Sequence, residues 1–255
     1  DLSGLGTFYA NLGSGTFRVG SATNTIGTAA AGSTVILAAD NTIYATTMTV
    51  DSPDSGQVQA IKLGSGTNEL NVNTINLGGN GRSSATMDFN GLSGTVKIRA
   101  LDGAGRAAMN IGNGSFNTGA VPAGTVDFTG HSADLLLATL AVSGRSAFTT
   151  SNGLGTFSFD TGTLDATTVN IASRTGTTAT SGSVTGTVNL GGGTVTIGTM
   201  TMGTNSVTTV SSTGDAVSIL NISAGTVSIN ALTMGVNTVD AALSNGSNTD
   251  ATLNL

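Results

Sequence analysis

One stretch, residues 186–203, reads GTVNLGGGTVTIGTMTMG and most constrains what this chain can fold into. Apolar residues alternate with polar ones in three short runs, carried by Val188 and Leu190, Val195 and Ile197, and Met200 and Met202. A period of two is the mark of a half-buried strand. Glycines at 191–193 and 198 separate the runs, as turns between strands require. The unit recurs: SILNISAGTVSINALTMG follows at 218–235, and GTFSFDTGTLDATTVNIAS precedes it at 155–173.

The positions matching Leu190 are Leu12, Leu37, Leu63, Phe89, Phe128, Phe159, Ile222 and Leu255, so the repeat length varies between 25 and 39 residues. Such periods belong to solenoids. If each unit is one coil, matching positions stack into columns. The Val188 column reads Ala10, Val35, Ile61, Met87, Val126, Phe157, Val188, Leu220, Leu253. The Val195 column reads Phe17, Ile43, Leu70, Val96, Leu135, Leu164, Val195, Val227. The Ile197 column reads Val19, Ala45, Val72, Ile98, Leu137, Ala166, Ile197, Ile229. The Met200 column reads Ala22, Met48, Ile75, Leu101, Leu140, Val169, Met200, Leu232. All four are apolar throughout. The intervening Asn189 and Thr196 columns are mixed and mostly polar. This pattern predicts an all-β fold: a right-handed parallel β-solenoid of about eight to nine coils, each strand lying on its equivalent roughly 4.8 Å away.

The whole chain, 1–255, reads as one continuous solenoid domain, expected to be a fragment of a longer repeat protein. The longest interval, from Phe89 to Phe128, points to an insertion at 103–124, either a protruding loop or an extra strand pair. Both prolines, Pro53 and Pro122, fall outside the columns, where no ladder hydrogen bond is broken.

Composition narrows the function classes. The net charge is −6 and the eight basic residues are scattered, which disfavours nucleic acid, since phosphate binding needs clustered Lys and Arg. The lack of cysteine rules out a disulfide scaffold and a thiolate metal site. No apolar run is long enough to span a membrane as a helix.

Units such as LNLGGGTVTIGTMTMG and LNISAGTVSINALTMGVNT resemble the Gly- and Thr-rich strand repeats of large bacterial surface proteins, among them autotransporter passenger domains. The resemblance implies secretion from a Gram-negative type of bacterium, an extracellular or cell-surface location, and a role as stalk, adhesin, surface-layer or filament component. It transfers no catalytic residue. The expected partners are other copies stacked end to end, or further repeats of the parent protein, with a glycan or a host or cell surface as a further candidate. The alternative is a carbohydrate-active β-helix enzyme or glycan-binding module whose site lies partly outside this chain.

Four groups of residues have the chemistry of candidate sites. His131, the only histidine, lies near Ser132, Asp134 and Asp127, the residue types of a nucleophile, base and acid. Adjacent residues of one tight turn do not converge in that geometry, so the reading is a turn. Asp88 and Asp127 share an outward column, where two carboxylates repel unless screened by Lys62 or bridged by calcium. Thr194, Thr196, Thr199 and Thr201 suggest an ice-binding array, but Asp165 and Ser228 interrupt it. The Gly-rich stretches at 78–82, 102–106 and 191–193 match no phosphate or calcium loop and read as turns. No catalytic, cofactor or metal residue is assigned, and the chain is expected not to be an enzyme. Asn189, Asn221 and Asn254 are equivalent on three consecutive coils, which predicts a ladder of side-chain amides.

Overall fold

A computed structural model describes all residues except 21–31, 53–56, 80–83, 92, 115–122, 146–151, 177–181, 208–212 and 239–246. The two prolines lie outside the described residues. In chain order the strands are β1 (Thr7–Asn11), β2 (Thr16–Val19), β3 (Thr34–Ile36), β4 (Asp40–Val50), β5 (Val58–Leu63), β6 (Thr67–Leu77), β7 (Ser84–Phe89), β8 (Thr95–Arg99) and β9 (Ala107–Gly114). They continue with β10 (Ala123–Asp127), β11 (Ser132–Arg145), β12 (Gly153–Phe159), β13 (Thr161–Gly176), β14 (Val184–Leu190), β15 (Thr194–Val207), β16 (Ala216–Ile222), β17 (Thr226–Asn237) and β18 (Thr249–Asn254). No helix occurs among the described residues.

The strands form two parallel sheets. One has 8 strands in the order β18-β16-β14-β12-β10-β7-β5-β3. The other has 10 strands along the path β1-β4-β6-β8-β11-β13-β15-β17, with β2 beside β4 and β9 between β6 and β11. The chain alternates between them, so each coil lies on the one before, and the fold is a parallel β-solenoid. Strands in both sheets are described from β3 through β17. That is fewer complete coils than the eight to nine expected, because β1 and β2 at one end and β18 at the other each contribute to one sheet only.

The central columns match the registers. Phe157, Val188, Leu220 and Leu253 lie opposite one another, as do Leu164, Val195 and Val227. Val188, Val195, Ile197 and Met200 are all buried. Met202 heads a further buried column, with Val50, Leu77, Ile111, Val142 and Ile171.

Three expectations need correction. First, the N-terminal coil is offset. Ala10 lies opposite Ile43, and Phe17 opposite Met48, where Ala22 had been expected. The text ANLGSG resembles VNLGGG, the turn between sheets, but here it makes a corner within one sheet. Gly13 has φ 52°, the Gly15 N–H donates to the Leu12 carbonyl, and the Thr46 N–H donates to Gly15. Second, β8 is shifted by two residues. Val96 lies opposite Asn68, and Ile98 opposite Leu70 and Leu135. An inward amide pair, Asn41 Nδ2 to Asn68 Oδ1 at 2.7 Å, precedes Val96 in that column.

Third, the segment 103–124, expected as a protruding loop or an extra strand pair, contributes one core strand among its described residues. Residues 107–114 are β9, which places Met109 in the Met200 column and Ile111 in the Met202 column. The excursion is the short loop before it, where the Gly103 N–H donates to the Ala100 carbonyl and the Ala100 N–H to Gly105. Asp102 Oδ1 accepts from the N–H groups of Gly105 and Ala104. These bonds, Gly105 first, hold its carboxyl below the usual range. The loop carries Leu101 out of the column in which alternation alone would place it. Residues 115–122 lie outside the described residues.

The long strands of the larger sheet turn at a fixed place. Gly78, Gly112, Ser143, Ala172, Gly203 and Gly235 immediately follow the Met202 column, and all have positive φ, between 56° and 71°. A left-handed residue at this level redirects the strand in the six coils from Gly78 onward, whereas Asp51, which follows Val50, is not left-handed. The strands continue past this corner to Arg145, Gly176, Val207 and Asn237. Arg145 and Arg174–Gly176 are therefore strand, although they lie beyond the apolar columns.

Candidate functional site

The amide ladder is present. Asn221 Nδ2 donates to Asn189 Oδ1 at 2.8 Å, Asn254 Nδ2 donates to Asn221 Oδ1 at 2.6 Å, and Asn189 Nδ2 ends the row on Ser158 Oγ at 3.1 Å. Each amide donates toward the N-terminal end and accepts from the C-terminal end, so the row is polar along the axis. A one-residue slip would bury the amides and expose Leu190 and Ile222, so the row also fixes register. Asn221→Asp removes the donor to Asn189 and sets an anion beside its oxygen, whereas Asn221→Ser removes only reach. The Asp variant is expected to be less stable than the Ser variant by about 1 kcal/mol, measured as the difference in melting temperature. Equal melting temperatures would leave the ladder without energetic weight.

The sequence candidates are placed as follows. The His131 ring stacks on Phe89, with centroids 3.8 Å apart and planes 8° from parallel. Its Nδ1 is buried with no hydrogen-bond partner. Asp134 does not turn to it but pairs with Arg99 and accepts from Thr163 Oγ1. Asp127 accepts from the N–H and Oγ1 of Thr129 within its own turn. No triad is assembled here. Asp88 and Asp127 are likewise turned to different partners, since Asp88 pairs with Lys62 at 2.6 Å. Thr196 lies between Asp165 and Ser228, as the column reading had it.

The charged residues of the outer face form ties between coils. Lys97 pairs with Glu69, and Arg106 grips Asp165 with both guanidinium nitrogens, at 3.0 and 2.8 Å. Such exposed pairs contribute about 0–1 kcal/mol each, so their effect is on register more than on stability. Arg106 comes from the Ala100–Gly105 excursion and crosses β11 to reach β13, fastening the loop to the stack.

Two features had no signal in the sequence. Arg145 and Arg174 are buried at adjacent levels beyond the left-handed corner. Arg174 donates from Nε to the Gly182 carbonyl and from Nη1 to Asn205 Oδ1, and Arg145 donates to the Asn152 carbonyl. Burial pushes both guanidinium pKa values down; at Arg174, Asp215 raises it and Arg145 lowers it further. The second is a polar groove outside the corner. One cavity of about 330 Å³ lies beside Arg18, Asp51 and Asn76, and another of about 250 Å³ lies over Ala141 and Gly144. Asn113 lines both. Comparison with protein-family models, with curated proteins and with solved structures gives no match to this chain.

Proposed function

We propose that this chain is a non-enzymatic structural segment of an extracellular or cell-surface protein of bacterial type, whose uncovered end stacks on another β-coil. The observation that carries this reading is at the C-terminal edge. Met200 and Met202 are fully buried, yet their column mates one coil on, Leu232 and Met234, are 41% and 40% exposed. The residues on β17 are those of a core strand, but among the described residues no strand covers them. Asn254 ends the amide ladder with its side-chain oxygen facing the same way. An open edge with a row of unpaired backbone groups above apolar side chains is a template for strand addition.

A second copy of this chain, or further repeats of a longer one, supplies the chemistry that fits: a parallel strand, apolar residues in the Met200 and Met202 columns, and an amide or hydroxyl donor for Asn254. The Gly- and Thr-rich repeat that resembles autotransporter passenger domains supports the surface role, and the outer carboxylates support a structural one. Asp88, Asp134 and Glu69 are each held by a cation from a neighbouring level, and Asp165 by Arg106 from two levels away.

The test is association of the 255-residue chain. Sedimentation velocity is expected to show assembly that grows with concentration, and electron microscopy to show end-to-end rods. Leu232→Lys with Met234→Lys places two charges on the exposed edge and is expected to abolish assembly while the β-sheet circular dichroism is kept. A wild-type chain that stays monomeric at high concentration, or assembly untouched by the double substitution, would overturn the proposal.

A further inference from the structure

The cavity over Ala141 and Gly144 opens at the small Ala141 side chain; at Gly144 the Asn113 carboxamide already takes the space a side chain would need, since a Cβ there would lie 2.6 Å from Asn113 Oδ1. Ala141 stands between Asn110 and Asn170 in one outward column, and Gly144 between Asn113 and Ser173 in the next. In an earlier coil the Asn110 amide bridges to Asn76 at 2.9 Å. At Ala141 that row of amides breaks, and a notch of about 250 Å³ opens through the surface. Its rim carries the amides of Asn113 and Asn170 and the hydroxyls of Ser173 and Thr175.

Ser143 and Arg145 also line it. Ser143 is 1% exposed, and its hydroxyl has no hydrogen-bond partner. It also occupies the left-handed corner with φ 58°, where its neighbours in the column are mostly glycine. A strained, buried hydroxyl without a partner costs stability unless something outside the chain bonds to it. Arg145 is 5% exposed and brings a guanidinium to the same notch. Arg174 lies one level on, close enough for mutual repulsion, and Asp215 offsets part of the charge. The notch is therefore rich in donors and locally positive in a chain of net charge −6.

We propose that this notch binds an oxyanion, a carboxylate or sulfate group, free or carried on an acidic sugar. Arg145 supplies a charge-assisted donor and Ser143 a hydroxyl for the anionic oxygens. The rim amides reach the remaining oxygens or the ring hydroxyls of a sugar.

The experiment is isothermal titration of the 255-residue chain, at constant ionic strength, with sodium sulfate, glucuronate and, as neutral control, glucose. Saturable one-site binding of both anions in the millimolar range is expected, with glucose at least about tenfold weaker than glucuronate. Sulfate as tight as glucuronate assigns the notch to the free anion; glucuronate about tenfold tighter assigns it to an acidic sugar. Ala141→Asn fills the notch and completes the row from Asn110 to Asn170, so it is expected to fold and to abolish binding. Ser143→Gly removes the hydroxyl and relieves the positive φ, so it is expected to weaken binding severalfold without lowering the melting temperature. No saturable heat with either anion up to about 50 mM, glucose binding as tightly as glucuronate, or affinity unchanged by Ala141→Asn would overturn the proposal.

Discussion

Replacing Gly112 by alanine is expected to cost about 3 kcal/mol or more and to lower the urea midpoint accordingly. Gly112 stands in the left-handed column with φ 60°, and a Cβ there would lie 1.8 Å from the Leu154 carbonyl oxygen. Two terms add. The left-handed conformation costs a non-glycine residue about 1–2 kcal/mol, and forcing backbone apart in a packed interior costs about 1–3 kcal/mol. Ser143 and Ala172 show that the corner itself admits a side chain, so the larger part of the effect comes from Leu154. Gly235 separates the two terms. It has φ 71°, and a Cβ there meets nothing within 4 Å. Gly235→Ala is expected to cost only the backbone share, about 1–2 kcal/mol. Equal losses at the two positions would show that the close approach of the two sheets at Leu154 carries no weight.

Truncating Phe157 to alanine is expected to cost about 3–5 kcal/mol, the range for a fully buried aromatic that leaves a cavity. Phe157 lies edge-on to Phe128, with centroids 6.3 Å apart and planes at 87°, and Phe128 lies edge-on to Phe89 at 6.1 Å. The three rings run through three successive levels, with the His131 ring over Phe89 at the outer end. Phe157→Leu keeps most of the volume and is expected to cost less than about 1.5 kcal/mol. Loss of this stack breaks contact between neighbouring coils in the middle of the solenoid. Hydrogen exchange is therefore expected to quicken first in β10 and β12 rather than uniformly. A loss below about 1 kcal/mol for Phe157→Ala would mean that the ring is not packed as described.

The fold was legible because a solenoid repeats its core. Val188, Val195 and Met200 could be aligned on their neighbours from alternation alone, and the Asn189–Asn254 row followed from the same alignment. Errors arose where local text mimicked the repeat. Asn11-Leu12-Gly13 has the letters of Asn189-Leu190-Gly191, but makes a different corner. Leu101 alternates correctly, but Asp102 binds two N–H groups of its own loop and pulls the chain out, so Met109 fills the column instead. The left-handed corner was hidden because two of its six residues are Ser143 and Ala172, which carry no glycine signal. The notch over Ala141 could not be read at all, since it consists of side chains that are small relative to their neighbours in space. Burial of Arg145 and Arg174 could not be read from the sequence, because nothing local marks a guanidinium as buried.

The central claim is that successive coils stack in parallel register, and paired cysteines test it most directly. The chain has no cysteine of its own, so any cross-link reports the introduced pair. Thr196 lies directly opposite Ser228 across β15 and β17, both side chains outward, while Thr194 lies opposite Thr226 on the same face. Thr196→Cys with Ser228→Cys therefore sets two thiols on directly paired residues, with Cα atoms roughly 4.8 Å apart, within the range a disulfide spans. Thr194→Cys with Ser228→Cys is offset by two residues and lies beyond that range. Under mild oxidation the first pair is expected to close nearly completely and the second hardly at all. Preferential closure of the offset pair, or equal closure of both, would contradict the stacked register on which every other conclusion rests.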